Sequence, residues 1–302
     1  MSERDLVWNV IFTPGTFRYL RRLPASLAEH TTARFRFVAN GCTAEEQRSL
    51  AAAATAQIDV TVLPGTGVRT HGEALTSLFD HFDDGGYFCF VDSDVLARGP
   101  WVPFLLAALG DRVAVTSGDV AWTDDTVLPP GAEDLPGRHA IGADGFVYGS
   151  SFLALYRRGA VTHARERYGF TFEPYAHDRL DPRARRAIES LGRAFRLYDT
   201  AKVLNLLLRA DGGEMTHVAH PALRHLGGIS QYLSRAQSGL VVAGAGAQRL
   251  EFAGWAAALL IALTDGGEPP EPPVGIEPAI AVDVATALRA CFGRGPGPDS
   301  RR

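Results

Sequence analysis

Tyr87-Phe88-Cys89-Phe90-Val91-Asp92-Ser93-Asp94 is the stretch from which the rest of the chain is read. Its first five residues are apolar without alternation, which predicts a strand buried on both faces. It runs straight into two aspartates one residue apart. In an extended chain, residues two apart project to the same side, so Asp92 and Asp94 present two carboxylates side by side. Neighbouring carboxylates repel unless a cation or a proton lies between them. Hard oxygen ligands of this kind favour Mg2+ or Mn2+, whose remaining positions are taken by water and substrate phosphates. The alternative is an acidic turn in which the aspartates bond to nearby backbone.

Moving outward, strands are expected at residues 7–12, 34–38 and 58–63, each closed by turn residues such as Thr13-Pro14-Gly15. Thr43 with Glu46, and Thr70 with Glu73, form two capping boxes that open helices from Ala44 and His71. Ala74, Leu75, Leu78, Phe79 and Phe82 share one face of the second helix. This strand–helix alternation predicts an α/β fold with a mostly parallel sheet. The acidic doublet then falls at the carboxyl end of a central strand, the edge where such sheets bind ligands.

Downstream, residues 113–117 and 152–156 read as strands around a Gly-, Pro- and Asp-rich stretch at 118–149, long enough to be a lid. Asp181-Pro182 opens a basic helix expected to run to about residue 195, and Asp199 or Thr200 is expected to cap a helix at 201–210. An apolar helix at 255–263, a Pro-rich surface wrap at 268–278 and a disordered tail at 293–302 complete the chain.

The chain has 302 residues, 46% hydrophobic and 21% charged, with a net charge of −4 and a pI near 6.1. That balance belongs to a globular protein and gives no electrostatic basis for nucleic-acid binding. No apolar run reaches 18 residues and the charged N-terminus does not resemble a signal peptide, so neither a membrane span nor secretion is expected. Cys42, Cys89 and Cys291 have no disulfide or zinc spacing, which points to a reducing cytoplasm.

Phe88-Cys89-Phe90-Val91-Asp92-Ser93-Asp94, placed after three earlier strands, resembles the Asp-x-Asp motif of GT-A nucleotide-sugar glycosyltransferases over residues 6–232. The resemblance implies a Rossmann-like GT-A fold, with a mostly parallel mixed sheet flanked by helices and a helical C-terminal extension. Residues 1–117 would bind the nucleotide sugar, 118–232 would bind the acceptor and close the site, 233–292 would form the extension, and 293–302 the tail. It implies Asp94, Asp92 and a late histidine as metal ligands for Mn2+ or Mg2+. Of His217, His220 and His225, the last is preferred, because Gly227-Gly228 and Ser230 follow it. Thr13, Gly15, Asp92, Ser93 and Gly149 would contact the donor, Gly149 from a glycine loop at 145–152. Asp92 would contact ribose or donor sugar as well, or reach the metal through water.

Asp199 would deprotonate the acceptor hydroxyl if the reaction inverts. The competing reading is an ordinary N-cap, and Glu173, Asp178 and Asp181 are rival carboxylates. Arg18, Arg69 and Arg224 could meet phosphate, His71 reads as structural, and Trp122 could stack on a sugar. The implied activity is hexosyl-type transfer from a nucleoside-diphosphate sugar to a hydroxyl of a small-molecule acceptor, with a secondary-metabolite scaffold as the first to test. A homodimer is compatible with the sequence. Two other readings compete: a haloacid-dehalogenase-like phosphatase, whose Asp-x-Asp follows the first strand and needs a downstream lysine (Lys202 here), and a non-catalytic sugar-nucleotide-binding protein.

Overall fold

A computed structural model describes residues 2–65, 67–117, 151–192, 195–230, 233 and 247–293. Seven strands form the main sheet: β1 (Val7–Phe12), β2 (Arg34–Ala39), β3 (Ile58–Val62), β4 (Tyr87–Val91), β6 (Ala114–Ser117), β7 (Leu153–Arg157) and β10 (Met215–Val218), in the order β10-β6-β7-β4-β1-β2-β3. β1 pairs parallel with β2 and β4, β2 with β3, and β6 with β10, while β7 runs antiparallel between β4 and β6. The expected sheet, mostly parallel, mixed and flanked by helices, is the one formed. The order reverses between β1 and β4, which makes their carboxyl ends the crevice where a ligand fits.

Period-two alternation divides the core into two layers. Trp8, Val10, Phe12, Cys89 and Val91 face one side of the sheet, and Ile11, Phe88 and Phe90 face the other. α1 (Phe17–Leu20), α2 (Arg22–Glu29) and the C-terminal helices α9 (Ala247–Asp265) and α10 (Pro278–Gly293) cover the first side. α4 (His71–His81), α6 (Arg158–Tyr168), α7 (Pro182–Glu189) and α8 (Lys202–Ala210) cover the second. Both capping boxes form as expected, Thr43 with Glu46 at α3 (Ala44–Ala51) and Thr70 with Glu73 at α4.

Two small sheets lie outside the main one. β5 (Val95–Ala97) pairs antiparallel with β11 (Leu223–His225), and β8 (Tyr175–Ala176) with β9 (Leu197–Tyr198). Neither was expected, because strands of two or three residues carry no periodic signal. α5 (Val102–Leu109) and α6 were likewise not anticipated, α9 is longer than the expected 255–263, and α10 lies in the span expected to form a helical extension. The basic helix ends at Glu189, short of 195. Its last turn closes through Leu191 N–H to Ile188 O and Gly192 N–H to Glu189 O, with Gly192 at φ 65°, a conformation glycine takes without penalty. Residues 118–149 and most of 293–302 lie outside the described residues, and with them the lid and tail expectations. Among the described residues no helix is long and apolar enough to cross a membrane.

Candidate active site

The carboxyl end of β4 delivers Asp92, whose N–H donates to Phe152 O at the start of β7 (2.8 Å). The chain then turns, with Val95 N–H bonding Asp92 O (3.3 Å), and enters β5. That turn places Asp94 at the mouth of the two-stranded ribbon, where β11 brings His225 opposite Val95. Leu226 N–H closes the ribbon end on Asp94 O (3.0 Å), and Ile229 N–H donates to Asp94 Oδ2 (3.1 Å).

His225 Nε2 lies 3.2 Å from Asp94 Oδ1 and 3.7 Å from Asp92 Oδ2. Its ring rests on Phe152 at 4.4 Å. One ligand atom from each of Asp92, Asp94 and His225 can be chosen so that all lie within 4.8 Å of one another. Asp92 Oδ1 and His225 Nδ1 are buried without a hydrogen-bond partner, and buried Asp94 Oδ1 faces His225 Nε2. Buried polar atoms are normally satisfied, so this corner fits a missing positive partner. The donor set, two carboxylates and an imidazole, suits a divalent cation such as Mn2+ or Mg2+.

Electrostatics agree with that fit. Burial, then the charges of Asp94 and Asp199, push the Asp92 carboxyl well above the usual carboxylate range. Burial also works against ionisation of Asp94, yet the His225 charge and hydrogen bonding, together with Ile229 N–H, hold it below its ordinary value. Asp94 is therefore ready as a ligand, while burial first and then the neighbouring negative charges oppose ionisation of Asp92, and a cation would offset both.

The third carboxylate arrives by close packing. A Cβ at Gly72 would sit 2.5 Å from Phe172 O and from the Glu173 Cα, so only glycine lets this backbone lie against the start of α4. Phe172 O in turn accepts the N–H of Ala201 (2.8 Å), fixing the turn that carries Asp199. Asp199 does not cap α8. The N-cap is Ala201, a non-glycine residue at φ 63° with no side-chain cap, and Asp199 accepts from Thr200 N–H instead (2.8 Å). Strained backbone of this kind concentrates at functional sites. The Asp199 charge reaches both Asp92 and His71.

Two neighbours of this corner were not read from the sequence as site residues. His71 Nε2 stands 3.7 Å from Asp92 Oδ1, and burial lowers its pKa despite Asp199 and Asp94 nearby. The signal was the Thr70–Glu73 box, because the first residue of a helix after a parallel strand stands at the ligand edge. Lys202 is buried below Asp199 with Nζ 4.5 Å from the Phe195 ring, and burial brings its pKa down to about 8.

The other candidates separate. His217 bonds Thr116 Oγ1 through Nδ1 (2.6 Å), and His220 accepts Ala222 N–H (3.1 Å), both away from the cluster. Asp181 caps α7 through Arg183 N–H (2.7 Å), Glu173 accepts from Thr171 Oγ1, and Asp178 is exposed. Arg18 pairs with Asp265 (2.7 Å), Arg224 with Asp283, and Arg69 donates to Pro64 O (2.8 Å). Thr13 and Gly15 do sit at the carboxyl end of β1, across the crevice from Asp92. The Gly15 N–H is held by Glu46, and Thr13 forms a tight turn with Thr16 (3.1 Å). Ser93 is buried between the two aspartates. Cys42, Cys89 and Cys291 form no disulfide among the described residues. Gly149 and Trp122 lie outside the described residues.

No protein-family model and no curated protein matches the chain. Its structure is similar to those of solved glycosyltransferases. Galactosyltransferase LgtC, solved in complex with donor and acceptor sugar analogs, is 15% identical at a TM-score of 0.41, over 80% of this chain and 99% of LgtC. The bifunctional glycosyltransferase WbbM is 12% identical at 0.41, over 70% of this chain, which spans 38% of WbbM. A 4-diphosphocytidyl-2C-methyl-D-erythritol synthase from Anaerococcus prevotii DSM 20548 is 9% identical at 0.40, over 72% and 88%. These TM-scores lie below 0.5, and the reading of the site rests on its own geometry.

Proposed function

We propose that the chain is a divalent-metal-dependent glycosyltransferase that moves a hexose from a nucleoside-diphosphate sugar to a hydroxyl of a small-molecule acceptor. One observation carries the proposal: Asp92, Asp94 and His225 converge with unpartnered buried atoms at the β1/β4 switch point, with Asp199 within electrostatic reach. Asp94 and His225 would hold Mn2+ or Mg2+ directly, and Asp92 would share it or contact the ribose. A cation bound there supplies charge neutralisation for the departing diphosphate. The nucleotide would lie along residues up to 117, with Thr13, Gly15 and Ser93 beside it, and Gly149 would close over the donor. Residues 118–232 would hold the acceptor.

The acceptor oxygen forms a bond to the anomeric carbon as the bond from that carbon to the diphosphate oxygen breaks, and the leaving oxygen keeps the electron pair. In an inverting reaction the hydroxyl proton would pass to the Asp199 carboxylate, which does not cap α8. Its proximity to Asp92 and His71 keeps the acceptor side of the crevice next to the metal corner. The phosphatase alternative is disfavoured by topology, because the doublet follows β4 rather than β1. We infer a cytoplasmic location from three cysteines without disulfide spacing.

Thermal shift with UDP, GDP and dTDP, each with and without Mn2+, tests the reading. Stabilisation by one nucleotide that depends on the metal is expected, and metal-independent or absent stabilisation for all of them would sink it. Donor hydrolysis in the same mixture separates an enzyme from a binding protein.

A further inference from the structure

The two ligands on the ribbon, Asp94 and His225, do not belong to the main sheet that carries Asp92. The metal triangle therefore keeps its shape only if the β5–β11 ribbon is held in place against β4. Each side of the ribbon carries an arginine near its ligand, four residues after Asp94 and one before His225. Arg98 follows β5, and its N–H bonds Ala222 O (2.8 Å). Arg224 lies within β11, opposite Leu96.

Both guanidiniums converge on one carboxylate, that of Asp283 in α10. Arg98 Nη1 is 2.9 Å from Asp283 Oδ1 and donates through Nη2 to the Asp283 carbonyl (3.2 Å), while Arg224 Nη2 takes Oδ2. α10 is itself tied to α2 by Arg22, which donates to Phe292 O (3.3 Å) and stands 5.2 Å from its ring. α2 reaches the ribbon from the other flank, where Ser26 Oγ accepts Ala97 N–H (3.0 Å). The ribbon is thus gripped from two sides, and from the C-terminal side by a single acid that spans both strands.

We propose that Asp283 is a positioning residue for the metal corner, through which the C-terminal extension sets the affinity of the site for its cation. The inference rests on the metal reading above. A carboxylate bridging Arg98 and Arg224 locks the two strands in register, and the register fixes the separation of Asp94 from His225. Side chains at this junction are about a third exposed, so the pairs add little to overall stability. Their effect falls on local geometry.

The test compares Asp283→Asn with Asp265→Asn, which breaks the Arg18–Asp265 pair on α9 without touching the ribbon. Binding of Mn2+ alone is followed by the paramagnetic resonance of the free ion, alongside the melting temperature. Asp283→Asn is expected to weaken Mn2+ binding about three- to tenfold, below the roughly 10–100-fold of a direct partner of a ligand. Its melting temperature should move by a few degrees at most, and Asp283→Glu should restore most of the affinity. Asp265→Asn should bind Mn2+ as the unmodified protein does. Arg98→Gln cuts the same junction from the ribbon side and stands in if Asp283→Asn fails to fold. Equal Mn2+ affinity in Asp283→Asn and the unmodified chain overturns the inference alone, as does an equal loss in Asp265→Asn. No Mn2+ uptake by the unmodified chain overturns the metal reading and this inference with it.

Discussion

β1, β2 and β4 place buried charge in two regions, and the two are built in opposite ways. Beside the amino end of β4, Arg36 meets Asp84 in a bidentate pair (2.7 and 2.8 Å), donates also to Asn9 Oδ1 (3.0 Å), and stacks on Phe82 with its guanidinium carbon 3.8 Å from the ring centroid. Asn9 passes the network to Cys89 O (2.8 Å). At the carboxyl end, Asp92, Asp94 and Asp199 face two histidines with several buried atoms unpartnered. In the first region each charge meets its opposite, with Arg36 Nε the one guanidinium nitrogen left without a hydrogen-bond partner. The second is short of positive charge and open to a ligand. Buried charge that serves folding is paired within the chain, and buried charge that serves binding is left for something else to complete.

The largest effect expected from this contrast is at the closed end. Arg36→Ala should cost about 3–5 kcal/mol, because it strands Asp84 in a buried pocket. Chemical denaturation measures this, and a loss below about 1 kcal/mol would mean the closed network is not what it looks like. Next is Asp94→Ala at the open end. It should reduce metal-dependent nucleotide affinity by about 100-fold, roughly 2.8 kcal/mol, while the metal-free melting temperature holds or rises. Unchanged binding would return the doublet to an acidic turn.

A smaller effect lies between the two regions' logics, at Lys202, a buried ammonium whose nearby acid has another task. Its folded pKa of about 8 lies below the ordinary 10.5, so between those values the unfolded chain binds more protons and stability rises with pH. Below about pH 8 the burial cost is fully present. Lys202→Met should therefore stabilise the protein at pH 7 by about 2 kcal/mol, with the gain fading as pH approaches 10. Melting at a series of pH values checks the sign. A destabilised Lys202→Met at pH 7 would place Lys202 with the satisfied charges of the closed end.

Much of the first half was legible because its signals are local. The unbroken apolar run at Tyr87–Val91 means a strand covered on both faces, and each threonine-to-glutamate box marks a helix start to the residue. The second half was less so. Strands as short as Leu223–His225 and Leu197–Tyr198 have no period to detect, and Asp199 fits the cap pattern while the chain caps α8 with left-handed Ala201. His225 was preferred among three histidines for the glycines after it, and it is the one brought to the aspartates, but by pairing with β5.

By itself the sequence determined the α/β alternation and the pair of carboxylates at the end of β4, because hydrophobic periodicity and closeness in the chain act over a few residues, although a turn and not an extended strand sets the two side by side. Tertiary structure alone decided what stands opposite them. The approach of Phe172 to Gly72 carries Asp199 into the crevice, the β5–β11 pairing carries His225, and Asp283 ties that ribbon to the last helix. Each of these joins residues distant in the chain, where packing and long-range pairing, not local propensity, fix the geometry.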